Sequence, residues 1–245
     1  MAALAVAVAV IAGLAFAIRP HHTDIVADRG LATPAAASGS SLAPRPTLLF
    51  IGDSYVAGTG RDETTYGCMA AARMGWFCKV AAGPGTGYIS GGPANRFQLE
   101  YIGQSTSFDE RLGGLALKYQ PNVVVLDGGR NDLFAPTDAV YDVMVSTIAD
   151  VQKMWPDATV VFIRPRFLAR PTDNLGYDDR LMRRLETDPA LGPMLIVIDP
   201  IGSMAGQDTS DLVAADKIHP NRRGELAMSS ELVDALLTAG FTPAK

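Results

Sequence analysis

Ser54 sits in the stretch IGDSYVAGTG (residues 51–60), where a small acid, a hydroxyl and nearby glycines directly follow the apolar run Thr47-Leu48-Leu49-Phe50. A serine hydroxyl becomes a useful nucleophile when a base takes its proton, and the usual base is a neutral imidazole held in the right tautomer by a carboxylate. The chain has three histidines. His21 and His22 lie in an N-terminal stretch rich in Ala, Pro and Ser, so a histidine-dependent mechanism must use His219. His219 stands in DKIHP, with Asp216 three residues earlier and Pro220 directly after. In a compact loop that spacing lets a carboxylate bond one ring nitrogen and leaves the other for the serine. Taken alone, D-x-x-H-P is the pattern of a surface histidine beside a helix start.

Attack on an acyl carbon creates an oxyanion, which needs hydrogen-bond donors fixed before the reaction. Three candidates stand in suitable places: the Ser54 backbone N–H, a backbone N–H from the glycine loop Gly83-Pro84-Gly85-Thr86-Gly87, and the Asn131 side-chain amide in GGRND. Asp53 reads as structural, a carboxylate that accepts backbone N–H bonds at the strand-to-helix corner and holds Ser54 in place. Asp132, beside Asn131, reads as a supporting or helix-start residue.

The elements that must position these groups follow from periodicity. From residue 47 onward, apolar runs rich in β-formers alternate with segments of helical period, the pattern of a parallel sheet covered by helices on both faces. Strands are expected at residues 47–51, 76–81, 122–127, 159–164 and 194–199, the third and fifth reading as fully buried. Helices are expected at about 137–155, ended by Pro156, and at 221–239. On the second, Leu226, Leu232, Ala235 and Leu236 are expected to face the sheet, with Glu225, Glu231 and Asp234 toward water. In open parallel sheets, ligands bind beyond the carboxyl ends of the strands. Gly52-Asp53-Ser54, the 83–87 loop and Gly128-Gly129-Arg130-Asn131-Asp132 all fall there.

With 245 residues, 48% of them hydrophobic and 19% charged, the chain can bury a substantial core. Its formal charge of −5 argues against a nucleic-acid partner, which would call for a basic face. Arg164, Arg166, Arg170, Arg180, Arg183 and Arg184 are expected mainly on a solvated loop and helix face. Residues 2–18 contain no polar side chain, which suits a signal peptide or an N-terminal membrane anchor over 1–18, followed by an Ala/Pro/Ser-rich linker over 19–46. Cys68 and Cys78 have too few histidines nearby for a zinc site. In an exported chain they would form one disulfide, and two buried thiols fit the sequence nearly as well.

Four blocks in order resemble the SGNH (GDSL) hydrolase family: GDS with Ser54 and Gly58 four residues on, a glycine after the second strand, G-x-N-D at Gly129 to Asp132, and D-x-x-H-P at Asp216 to Pro220. The similarity spans about residues 47–240, within a catalytic domain drawn over 47–245. It implies a three-layer α/β/α sandwich with a central, mostly five-stranded parallel sheet, flavodoxin-like in character. It also implies Ser54 as nucleophile, His219 as base and then acid, and Asp216 as its orienting carboxylate. Asn131 and one loop glycine, taken here as Gly85, would join the Ser54 N–H in the oxyanion hole. The chain lacks the asparagine that often precedes the family's glycine, and Ala81 or Ala82 stands there instead. Competing motifs fail: G-x-S-x-G would need glycine where Val56 stands, and GPGTG lacks the third glycine and acidic partner of a dinucleotide site.

The expected activity is that of an exported serine esterase acting on a carbohydrate or lipid ester, with no cofactor and no metal. Its site would be on the outer face of the membrane or beyond, with residues 2–18 as a possible tether. An O-acyltransferase of envelope glycans would use the same intermediate, and a silent glycan-binding module would keep only the fold. Tyr55, Tyr88, Phe134 and Phe167 are candidates for a substrate pocket, though such aromatics are more often ordinary packing.

Overall fold

Five of the apolar runs come together side by side in a computed structural model that describes residues 44–58, 61–100 and 103–244. The expected signal peptide or anchor over residues 1–18, and the linker as far as residue 43, lie outside the described residues. The strands are β1 (Thr47–Gly52), β2 (Phe77–Ala82), β5 (Val123–Asp127), β6 (Thr159–Ile163) and β7 (Leu195–Ile198); a two-residue ladder, β3 (Gln98–Leu99) with β4 (Gly103–Gln104), stands apart. The sheet order is β2-β1-β5-β6-β7 and every pairing in it is parallel.

Side-chain alternation builds two cores from one sheet. Leu48, Phe50, Val123, Val125, Val161 and Ile163 face one way, against α2 (Tyr66–Arg73) and α6 (Arg222–Thr238). Leu49, Ile51, Val124, Leu126, Val160 and Phe162 face the other way, against α3 (Phe108–Ala116), α4 (Thr137–Met154) and α5 (Asp179–Glu186). This is the three-layer α/β/α arrangement. Strand β5, VVVLD, is buried at every position, as a central strand with both faces covered must be. Strand β7 is only half-buried, against expectation, because it forms an edge of the sheet.

Two other expectations need correction. On α6, Glu225 is only 1% exposed while Leu226 is 49% exposed. The buried face runs through Gly224, Met228, Leu232, Val233 and Leu236, so the apolar stripe begins one residue away from where Leu226 suggested. Arg164 and Arg166 are buried rather than solvated, because acceptors surround them: Arg164 bonds Asp179 and the Tyr177 carbonyl, and Arg166 bonds Asp199 and the Pro171 carbonyl. Arg170, Arg180, Arg183 and Arg184 are exposed as expected. Cys68 on α2 and Cys78 on β2 are joined in a disulfide, with Cα atoms 5.3 Å apart. Among the described residues no helix is long and apolar enough to cross a membrane.

Candidate active site

Strand β1 lies between β2 and β5, so the loops that leave the carboxyl ends of these three strands are neighbours at the point where strand order reverses, the usual ligand crevice of such sheets. The chain leaves β1 through Asp53, whose Oδ1 accepts the Tyr55 N–H at 2.8 Å and so caps the one-turn helix α1 (Ser54–Ala57). Ser54 is thereby fixed at the first position of that turn. The turn closes at Gly58, which donates to the Ser54 carbonyl at 3.1 Å with φ +56°, a left-handed conformation that glycine adopts without strain.

The loop ahead of α6 brings the other two groups. Val213 and Pro220 form an antiparallel bridge, Ala214 N–H donates to the His219 carbonyl at 2.8 Å, and Lys217 N–H donates to Ala214, so residues 213–220 fold as a small hairpin. Asp216 Oδ1 accepts the backbone N–H groups of Ile218 and His219. Its Oδ2 lies 2.6 Å from His219 Nδ1, and His219 Nε2 lies 2.9 Å from Ser54 Oγ. The tautomer follows from the partners: a proton on Nδ1 satisfies the carboxylate and leaves Nε2 to accept the serine proton. The hydrogen bond from His219, with the two backbone donors, holds the Asp216 carboxyl down at about 2. Both side chains are open, 42% exposed for His219 and 47% for Asp216, so water reaches the pair directly.

The glycine loop is pinned from beneath. Asp132 accepts the N–H groups of Tyr88, Ile89 and Ser90, and a Cβ at Gly87 would collide with its carboxylate. Arg111 of α3 reaches the carbonyls of Gly52 and Ala81 and the Thr86 hydroxyl, tying together the ends of β1 and β2 on the side where the family's asparagine is missing. The amides of Gly83, Thr86 and Gly87 donate to Gly52, Gly83 and Ser90, whereas the Gly85 N–H has no acceptor among the described residues. Gly85 has φ +73°, and Asn131 Nδ2 donates to the adjoining Thr86 carbonyl at 2.9 Å. A cavity of about 350 Å³ is lined by Ser54, Ala57, Gly58, Pro84, Ala214, His219 and Pro220.

Sequence reasoning missed the buried network that carries this site. Arg130 donates to Asp53 at 3.2 Å, to Asp127 at 2.7 Å and to the Arg166 carbonyl at 2.6 Å, and its guanidinium stacks 4.1 Å from the centre of the Tyr55 ring. Tyr66 adds a 2.5 Å bond to the second oxygen of Asp127. Burial opposes the Arg130 charge, but the Asp127 and Asp53 carboxylates outweigh it and raise the group's pKa. Complete burial pushes the Asp53 carboxyl up to about 6, against the pull of Arg130. Tyr55 belongs to this scaffold rather than to a substrate pocket: its hydroxyl donates to the Ile218 carbonyl at 2.6 Å and accepts the Leu168 N–H at 3.1 Å, linking the serine turn to the histidine hairpin. Tyr88 is buried in the core, while Phe134 is exposed. The only sequence signal for Arg130 was its place inside G-x-N-D.

The arrangement of a serine, an imidazole and a carboxylate in hydrogen-bond sequence beside a loop of backbone donors is that of a serine hydrolase. The family model of the GDSL-like lipase/acylhydrolase family matches residues 50–227, so the chain belongs to that family and is a carboxylic ester hydrolase. No curated protein matches the chain in sequence. Among solved structures, it is similar in fold to a carbohydrate esterase family 2 enzyme with a carbohydrate-binding domain from Corynascus thermopiles (Myceliophthora fergusii), at 23% identity over 85% of this chain and 69% of that one, with a TM-score of 0.57. It is also similar to a carbohydrate acetylesterase from Sinorhizobium meliloti (15% identity, 80% and 100% covered, TM-score 0.57). A psychrotrophic esterase from Pseudoalteromonas sp. shares the fold as well (19% identity, 79% and 98% covered, TM-score 0.55).

Proposed function

We propose that the protein is an exported esterase that removes short acyl groups from a carbohydrate through an acyl-Ser54 intermediate. The observation that carries this reading is the pair of contacts through His219, 2.9 Å to Ser54 and 2.6 Å to Asp216. His219 takes the Ser54 proton as Oγ bonds to the ester carbon. The resulting oxyanion is held by the Ser54 and Gly85 N–H groups and by the Asn131 N–H not used on Thr86. His219 then protonates the departing alcohol, and water repeats the cycle to release the free acid. A short acyl group suits the cavity, because its described lining is made of small and cyclic residues with no long apolar side chain. The carbohydrate esterases among the fold neighbours support a glycan alcohol. The Cys68–Cys78 disulfide and the apolar residues 2–18 support export.

A panel of nitrophenyl esters and acetylated glycans tests the reading. We expect acetate to turn over faster than octanoate or palmitate and acetylated glycan to yield free acetate. A preference for long chains would replace the carbohydrate reading with a lipid one, and transfer of acetate to an added glycan acceptor would make the protein an acyltransferase. Within the site, Asn131→Ala is expected to lower kcat by about 100- to 1,000-fold, the usual cost of one lost oxyanion donor. Thermal unfolding of that variant should stay close to wild type, and a loss below tenfold would remove Asn131 from the oxyanion hole.

A further inference from the structure

The hairpin that carries Asp216 and His219 has two sides, and only one of them faces the serine. Ala214, His219 and Pro220 line the cavity at Ser54, while Val213 and Lys217 line a second and larger space of about 710 Å³. That groove is bounded by two further segments, residues 169–173 and 206–210. Its walls are held in place by buried bonds: the Thr209 hydroxyl donates to the Leu168 carbonyl at 2.6 Å, and Arg166 donates to the Pro171 carbonyl at 3.0 Å. Leu168 is bonded in turn to the Tyr55 hydroxyl, next to the nucleophile.

The chemistry of the lining is specific. It presents two cations, Arg170 and Lys217, and two carboxylates, Asp173 and Asp208, together with the Gln207 amide. Apolar surface from Pro171 and Val213 lies among them. Arg170 pairs with Asp173 at 3.4 Å and Asp208 accepts the Ser210 N–H, so an acyl chain would strip water from groups that keep their charge, and a polyanion would meet as many carboxylates as cations. A neutral polyhydroxylated chain satisfies both demands, since hydroxyls donate to carboxylates and accept from cations while the C–H faces of the rings cover the apolar patches.

Resting on the esterase reading above, we propose that this groove is a subsite for the unreacted part of a neutral oligosaccharide, whose acylated sugar passes over the 213–220 hairpin to reach Ser54. The substrate is therefore a chain of several sugars rather than an isolated acylated monosaccharide.

The test uses the full protein and the double variant Arg170→Ala/Gln207→Ala, two exposed side chains outside the catalytic machinery. Substrates are nitrophenyl acetate and acetylated xylo-oligosaccharides, acetylated cello-oligosaccharides and O-acetylated peptidoglycan fragments of two to six sugars. We expect wild-type kcat/KM to rise with chain length. The double variant should lose roughly tenfold on six-sugar substrates, mostly through KM, the loss expected when one or two hydrogen bonds are removed. Its nitrophenyl acetate kinetics should stay within twofold of wild type. If the wild type hydrolyses no ester of any kind, the esterase reading fails and takes this one with it. If it hydrolyses nitrophenyl acetate but shows no gain with glycan length, or if the variant loses equally on both substrate types, the groove proposal alone is overturned.

Discussion

Ser54→Ala should reduce ester hydrolysis by on the order of 10⁵- to 10⁶-fold in kcat while leaving the fold intact, the scale seen when a catalytic nucleophile is removed from a serine hydrolase. The substitution deletes one oxygen, whose described side-chain partner is His219 Nε2. The helical turn does not depend on that oxygen, because Asp53 caps it through the Tyr55 N–H and Gly58 closes it through the Ser54 carbonyl. Thermal unfolding should therefore barely move, and an active-site serine probe should label wild type and not the variant. His219→Ala should lose a similar factor. The double variant should lose little more than either single one, because the two groups act as one unit. Retention of more than about one per cent of wild-type kcat in Ser54→Ala would mean that another group attacks the ester.

The parts of the molecule that were legible in the sequence are those whose physics is local. Strands β1, β5 and β6 were placed to within a residue because runs such as VVVLD and TVVFI leave no alternative pattern, and α4 was marked by helical spacing and ended by Pro156. Helices α2, α3 and α5 were not delimited. YGCMAAAR, FDERLGGLA and DRLMRRLE are eight or nine residues long, about two turns, too short a window for a helical period to be told from chance. Ser54, Asp216 and His219, which the structure brings together, were legible as a group because the chemistry admits few residue types and the chain offers one histidine beyond its N-terminal stretch. Asp53, Tyr66, Asp127 and Arg130 could not be linked in the same way: they sit on separate elements up to 77 positions apart, and only the parallel register of β1 with β5, which pairs Gly52 with Asp127, brings their carboxylates to one guanidinium. The burial of Glu225 depends likewise on how α6 rotates against its neighbours, which one residue of drift in the apolar stripe conceals.

That network makes Arg130 the residue whose loss should cost the fold most. Arg130→Met keeps an unbranched apolar stem but removes the guanidinium that serves Asp53, Asp127 and the Arg166 carbonyl together. Two carboxylates, each fully buried, would then face each other without a cation. Breaking a buried pair from one side costs about 3–5 kcal/mol, far more than losing an exposed one. Arg130→Lys should recover only part of this, since an ammonium has no fork with which to reach both carboxylates and the carbonyl. The loss should also depend on pH, with a sign fixed by Asp53. Its carboxyl is raised in the fold, from 3.8 to about 6, so the folded state takes up the proton more readily than the unfolded chain. The stability contributed by that protonation is fully present below the unfolded value and is lost as pH rises through about 6. Removing Arg130 takes away the cation that pulls Asp53 down, so its carboxyl rises further and more stability is lost at neutral pH. Urea unfolding of Arg130→Met should therefore show a larger deficit against wild type at pH 7 than at pH 5. A deficit that is equal at the two pH values, or below about 1 kcal/mol at both, would show that the guanidinium does not carry the buried charge beneath the serine turn.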